Sequence, residues 1–332
     1  MKYLVTLADK TNEENLNKIA DTGGHIEYIS DLLPLAVVQH SNIDRIRKFD
    51  FVYDIKPDRR GKLEKVINLE IRPQFDIRNI RPHFEYKNVR VAVIDSGIDS
   101  NLNIVDSINL TNFKDNNEKY GSLVANIINQ FTPRIKMFDC KITDSMEVEE
   151  SKAIIAAEWA YRKGANIINM SMGFDTNRCK GTCNICLLIE ELKDKNVLTI
   201  TAAGNEGPYL GSVKCPGNSS AALTVGAINL NSKIADFSSR GRYGQNKPDV
   251  LAPGYIYIKG SKEPPIGGTS FSTPIVTGLA AGIFTKFNAC DKVKEVILNS
   301  TVKLGYKQHE EGNGLISADR LLEVLRFEKV VS

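Results

Sequence analysis

Apolar positions alternate at Tyr3, Val5 and Leu7 and predict a strand at the start of the chain. An amphipathic segment from Glu13 to Ala20 and a Gly23-Gly24 turn follow. Then come the run Ile26 to Ile29, an apolar stretch Leu32 to Val38, a second helix from Ile43 to Phe49 and a strand from Val52 to Ile55. The order is β-α-β-β-α-β. Residues 58 to 88 are rich in Arg, Lys and Asn, carry Pro73 and Pro82, and read as connecting chain.

Beyond that stretch the period changes. Val91-Ala92-Val93-Ile94 is a continuous apolar run, as expected of a strand covered on both faces. Similar runs occur at Ile135 to Ile142, Ile167 to Met170, Val197 to Ala203 and Leu223 to Ile228. Glu147 to Lys163 has helical spacing and stops at Gly164. Alternating β and α units at this spacing predict a mostly parallel sheet with helices on both faces, an α/β/α sandwich whose chemistry lies at the carboxyl ends of the strands. The expected division is a small α+β domain over residues 1–66, a linker over 67–88, the main domain over 89–326 and a tail over 327–332.

Composition narrows the partners. At 332 residues, 42% hydrophobic and 25% charged, the chain can bury one sizeable core and a smaller second one. Forty-three basic against 40 acidic side chains leave +3, so neither nucleic acid nor an anionic membrane is expected as a partner. The first apolar stretch breaks at Asp9, too short for a signal peptide, and the expected address is cytoplasmic. Thr273 to Phe284, the longest apolar stretch, reads as a buried helix.

The richest motif is Gly267-Gly268-Thr269-Ser270-Phe271-Ser272-Thr273-Pro274 ahead of an apolar helix. A serine in the first turn of a buried helix has a fixed hydroxyl, and the helix N-terminus offers N–H groups to a developing oxyanion. Taken alone, the stretch also reads as an ordinary N-cap. Asp95 ends a strand in Val91-Ala92-Val93-Ile94-Asp95-Ser96-Gly97, and Asn205 follows another in Ala202-Ala203-Gly204-Asn205-Glu206-Gly207.

In order and local sequence these three segments resemble the subtilisin-like serine peptidases. So do Asn169-Met170-Ser171-Met172-Gly173, Ala235 to Gly241, Lys247 to Gly254 and Gly312 to Asp319. The resemblance covers about residues 85 to 326, and residues 1 to 66 resemble the family's inhibitory, fold-assisting propeptide. It implies that Asp95 is the orienting acid, Asn205 the oxyanion donor and Ser270 the nucleophile. It also implies that Ser171, Met172 and Gly173 form one wall of the substrate cleft, a backbone edge able to pair with a peptide.

The histidine departs from the pattern. The family places it at the start of a helix in His-Gly-Thr-His-Val-Ala-Gly, and the fitting segment here is Tyr120-Gly121-Ser122-Leu123-Val124-Ala125-Asn126. The four histidines are His25, His40, His83 and His309, so none lies between 83 and 309. A phenol titrating near pH 10 cannot hold the serine's proton at neutral pH. Losing that histidine costs about 10⁶ in turnover in such a triad. Leu123, Asn126 and Ile275 also depart from the family's usual His, Gly and His, which speaks against a single laboratory change. The expected function is a pseudoprotease that retains its N-terminal domain and binds a peptide or protein, with an active subtilase one candidate partner. The alternative is an active serine endopeptidase using Ser270 with an unusual or partner-supplied base. His309, before Gly312-Asn313-Gly314, reads as part of a surface loop.

Cys179, Cys183 and Cys186, with Cys215 later, form a second cluster. Its Cys-x3-Cys-x2-Cys spacing imitates an iron–sulfur motif, but its place between a strand and a helix of this pattern does not. The four can make a tetrahedral thiolate zinc site or remain free or paired thiols. Cys140 and Cys290 read as packed core thiols. The segment Asn101 to Lys119, with Asp106 and Asp115, matches no calcium loop, and calcium stays open.

Overall fold

The computed structural model describes residues 1–8, 12–62, 84, 89–98, 102–112, 120–133, 135–145, 147–175, 179–256 and 265–331. The linker over 67–88 lies outside them apart from Phe84, as do His83, Asp99 and Asp115.

The N-terminal part runs β1 (Lys2–Leu7), α1 (Glu13–Asp21), β2 (His25–Ile29), β3 (Leu35–Gln39), α2 (Asp44–Arg47) and β4 (Val52–Pro57). Its strands make one antiparallel sheet in the order β2-β3-β1-β4. Helix α1 starts where the Asn12 side chain accepts the Glu14 N–H and two glutamates occupy the first turn. The two faces of this sheet bury different things. Val5, Leu7, Ala36 and Val38 pack with Ile19 and Ile46 of its own helices. Leu4, Leu35 and Val37 join the core of the larger domain. That double burial is why β3 reads as unbroken apolar sequence rather than as alternation.

A short strand β5 (Arg60–Lys62) lies in the stretch read as connecting chain. The larger domain then runs β6 (Arg90–Asp95), β7 (Ile104–Asn109), α3 (Tyr120–Phe131), β8 (Lys136–Lys141), β9 (Glu147–Glu149), α4 (Glu150–Arg162), β10 (Ile167–Met170), β11 (Gly173–Phe174) and α5 (Asn184–Asp194). It continues through β12 (Leu198–Ala202), β13 (Leu223–Ile228), β14 (Val250–Pro253), β15 (Tyr255–Ile256), β16 (Ile266–Gly267) and α6 (Thr269–Phe287). The last elements are α7 (Cys290–Asn299), β17 (Thr301–Val302), α8 (Gln308–Glu311), β18 (Leu315–Ile316) and α9 (Ala318–Val331).

Nine strands form the central sheet in the order β17-β18-β14-β13-β12-β10-β6-β8-β7. Every pairing in it is parallel except β17 with β18. Val91 and Val93 pack with α3, α6, α7 and α9 on one face. Ala92 and Ile94 pack with α4 and α5 on the other. Consecutive residues of one strand thus feed two cores, giving the three-layer α/β/α architecture expected from the apolar runs.

Several boundaries differ from the sequence reading. The segment 147–163 opens as strand β9 before turning into α4, because residues 147–149 find a partner in β5. Residues 327–331, set apart as a tail, continue α9. His309 sits in the short helix α8 rather than in a surface loop. Helix α6 is buried from Thr269 to Phe284, and its Gly282 lies against the ring of Phe84, where a Cβ would come within 2.5 Å. Among the described residues no helix is long and apolar enough to cross a membrane.

Candidate active site

Asp95, the last residue of β6, is fully buried. Its Oδ1 accepts the Ser96 N–H at 2.7 Å, and its Oδ2 has no hydrogen-bond partner among the described residues. Burial pushes its carboxyl up to about 7; the Ser96 hydrogen bonds oppose that rise and the charge of Asp139 adds to it.

Tyr120 heads α3, the helix that abuts the end of β6. The contact is close: the Gly121 N–H donates to the Ser96 Oγ at 3.1 Å, and a Cβ on Gly121 would lie 2.4 Å from the Gly97 carbonyl oxygen. Only glycine lets the helix come so near. The Tyr120 ring is 1% exposed and stacks at a tilt against Phe271, centroids 5.9 Å apart. It fills this place as a packed aromatic.

Ser270 is the second residue of α6, whose N-cap is Gly268 without a side-chain cap bond. The serine is thus not itself the cap. Its Oγ donates to the Ser171 carbonyl at 2.9 Å, and the residue is 4% exposed. Asn205 follows β12 after Gly204, whose φ of +106° belongs to glycine. Its Oδ1 accepts from the Thr269 N–H at 2.9 Å and from the Thr269 Oγ at 3.0 Å. Those two bonds turn the Nδ2 end of the amide away from Thr269. Asp95, Tyr120, Asn205 and Ser270 are thus gathered at the carboxyl ends of β6 and β12 and at the starts of α3 and α6.

Ser171, Met172 and Gly173, expected as a cleft wall, follow the end of β10. Thr277 of α6 donates to Asn169 at 2.8 Å, and Asn169 donates to the Ser171 Oγ at 2.9 Å, so the buried Ser171 is tied to the helix that carries Ser270. Met172 is buried in the core beneath. Pairing starts one residue later. Gly173 faces Lys62 and Phe174 faces Gly61, while Arg60, Gly61 and Lys62 face Glu149, Val148 and Glu147 on the other side. The chain's own segment 60–62 is therefore the middle strand of an antiparallel trio, β11-β5-β9.

Two neighbours fix that segment. Asp58 accepts the Ser151 N–H at 2.9 Å and the Ser151 hydroxyl, capping the first turn of α4. Arg59 makes two 2.6 Å bonds to the buried carboxylate of Glu150. Deeper in α4, buried Glu158 accepts from the Tyr28 and Ser30 hydroxyls and from the N–H groups of Asp31 and Leu32 at 3.2 and 3.3 Å. None of Asp58, Arg59, Glu150 or Glu158 stands out in the sequence, where all four look like ordinary surface charges.

His40 and His309 lie elsewhere. His40 is buried in the N-terminal part, with Nε2 3.0 Å from the Thr22 hydroxyl. His309 lies edge-on to Tyr243, in a helix next to residues 247–249, which precede the amino end of β14. The serine and its neighbours lie beyond the carboxyl ends of the strands.

The sulfurs of Cys179, Cys183, Cys186 and Cys215 all lie within 4.8 Å of one another, and all six cysteines are free. Thiol hydrogen bonds from Cys183, Cys186 and Cys215 pull the Cys179 thiol well below its ordinary range. Cys140 and Cys290 are buried in the two cores. Asp106 lies in β7, paired with Lys163 at 2.7 Å.

Comparison with known proteins places this geometry. Residues 86–314 match the model of the subtilase family, peptidase S8. The chain is 32% identical over 220 residues to subtilisin E of Bacillus subtilis, covering 60% of this chain and 56% of that one. It is 26% identical over 272 residues to the membrane-bound transcription factor site-1 protease of Homo sapiens, covering 73% and 26%. The chain spans about half the length of the subtilisin precursors it matches. The crystal structure of the epidermin leader peptide processing serine protease from Staphylococcus aureus is similar in fold, with a TM-score of 0.76 at 19% identity, over 98% of this chain and 99% of that one.

Proposed function

The chain belongs to the subtilase family, and from that premise we propose that it is a catalytically silent member, a pseudoprotease. On this reading it keeps residues 1–66 attached as a propeptide-like domain and binds a peptide or protein partner in its cleft. An active subtilase is one candidate partner. The observation that carries the reading is the Ser270 hydroxyl, which donates a hydrogen bond to the Ser171 carbonyl while a packed tyrosine fills the start of α3. A carbonyl oxygen accepts a hydrogen bond but does not take a proton at neutral pH, and neither does a phenol titrating near 10. Without the histidine, catalysis in such a triad falls by about 10⁶.

Strand β5 supports the binding half of the proposal. Residues 60–62 add to the edge at Gly173–Phe174 through main-chain pairing, the way an extended peptide is held by a sheet edge. An exogenous peptide would compete for that edge. The six free cysteines suit the cytoplasm as the place of action.

A second reading, an active endopeptidase with an unusual or partner-supplied base, is favoured by Asn205, whose Oδ1 is held by Thr269 next to Ser270 and whose Nδ2 is turned away from Thr269. Intact mass of the purified full chain separates the two. Silence predicts one species at full length; spontaneous release of a fragment ending near residue 62 to 66 would overturn it.

A further inference from the structure

We propose that Cys179, Cys183, Cys186 and Cys215 bind one zinc ion as four thiolates, and that this ion holds the strand edge on which residues 60–62 pair. The sulfur geometry fits a mononuclear site. Zinc–sulfur bonds of about 2.3 Å at tetrahedral angles put sulfurs about 3.8 Å apart. Here Cys183 and Cys186 are 3.4 Å apart, Cys186 and Cys215 3.6 Å, and no pair exceeds 4.8 Å. Two edges of one sulfur tetrahedron are thus close to their final length and the rest fall within about 1 Å of it or below, which leaves no room for a multi-iron cluster.

The surroundings suit the charge that such a site carries. Binding Zn²⁺ releases four thiol protons and leaves a net charge of −2 on the ion and its ligands. The Gly181 N–H donates to the Cys179 Sγ at 3.3 Å, and the Asn218 side-chain amide to the Cys215 Sγ at 3.8 Å. Cys183 precedes α5, eleven residues long, whose N-terminus faces the cluster with positive dipole. Donors of this kind around thiolates are the outer shell that metal sites use to orient and hold their ligands.

The link to the cleft is through backbone. Cys215 and Phe174 exchange hydrogen bonds, 2.8 Å from the Phe174 N–H and 3.2 Å from the Cys215 N–H. Phe174 faces Gly61 across its other edge. Fixing Cys215 against α5 fixes the outer neighbour of the strand that β5 joins. This inference does not depend on whether Ser270 is silent.

The full-length chain, expressed in zinc-containing medium and purified without chelator, tests it by elemental analysis. The expected result is one zinc per chain, lost in Cys186→Ser and kept in Cys140→Ser and Cys290→Ser. If Cys186→Ser does not fold, the wild-type chain grown with cobalt should show the visible bands of tetrahedral thiolate cobalt. A small fraction of an equivalent of zinc, iron in its place, or a six-coordinate cobalt spectrum would overturn the site. Removing the metal should raise hydrogen exchange at the Phe174 and Cys215 amides several-fold; unchanged protection there would overturn the coupling to the cleft.

Discussion

The hydroxyl of Ser270 donates to the main-chain carbonyl of Ser171 across 2.9 Å, and Ser171 is itself held to α6 through Asn169 and Thr277. The serine and the segment that starts at Ser171 are therefore linked through three hydrogen bonds, with the Ser270 proton directed at a carbonyl oxygen. On the proposed reading, that carbonyl and the packed ring of Tyr120 leave the serine's proton without a base.

Replacing the tyrosine probes what else is missing. Tyr120→His puts an imidazole at the start of α3, next to the end of β6 where the Asp95 Oδ2 lacks a hydrogen-bond partner among the described residues. We expect the variant to cut its own chain near residues 62 to 66, seen as a second species by intact mass. An uncut Tyr120→His chain would show that the cleft has drifted beyond this one residue.

Asp95 should make stability depend on pH. Its folded-state carboxyl titrates near 7, above the ordinary aspartate value of 3.8, because burial disfavours the charge. The native state thus binds the proton more tightly than the unfolded chain. Its contribution is fully present below about pH 4 and is lost as pH rises through 7. Asp95→Asn should flatten this slope and stabilise the chain at pH 8 by on the order of 2–4 kcal/mol. Thermal melts across pH 4 to 8 check it; parallel wild-type and variant curves would refute it.

Docking of the N-terminal sheet should rest heavily on one carboxylate. Glu158→Ala strips the acceptor from two hydroxyls and two backbone N–H groups of residues 28–32, at a cost on the order of 3 kcal/mol. Hydrogen exchange in residues 28–38 should rise while β12 and β13 stay protected. Equal protection in wild type and variant would mean that Leu4, Leu35 and Val37 hold the docked face without it.

Much of this was legible in the sequence, for identifiable reasons. Asp95 ends a buried strand, Asn205 follows another and Ser270 lies in the first turn of a buried helix, so apolar runs and glycines mark all three. The four clustered cysteines were visible as a set, although nothing in their spacing shows that Cys215 comes within 3.6 Å of Cys186. Strand β5 was not legible. Arg60-Gly61-Lys62 has no apolar face, and its pairing depends on β9 and β11, which lie far along the chain. Glu158 was hidden for the same reason, since a glutamate on a helix reads as a solvent-facing charge until a second domain covers it.

The central claim, that Ser270 is not activated, is tested most directly by covalent labelling with a fluorophosphonate probe, which reacts with an activated serine. At neutral pH the wild-type chain should label no more than Ser270→Ala, both by gel fluorescence and by intact mass. Stoichiometric labelling of the wild type that disappears in Ser270→Ala would contradict the account and establish a working base in the site.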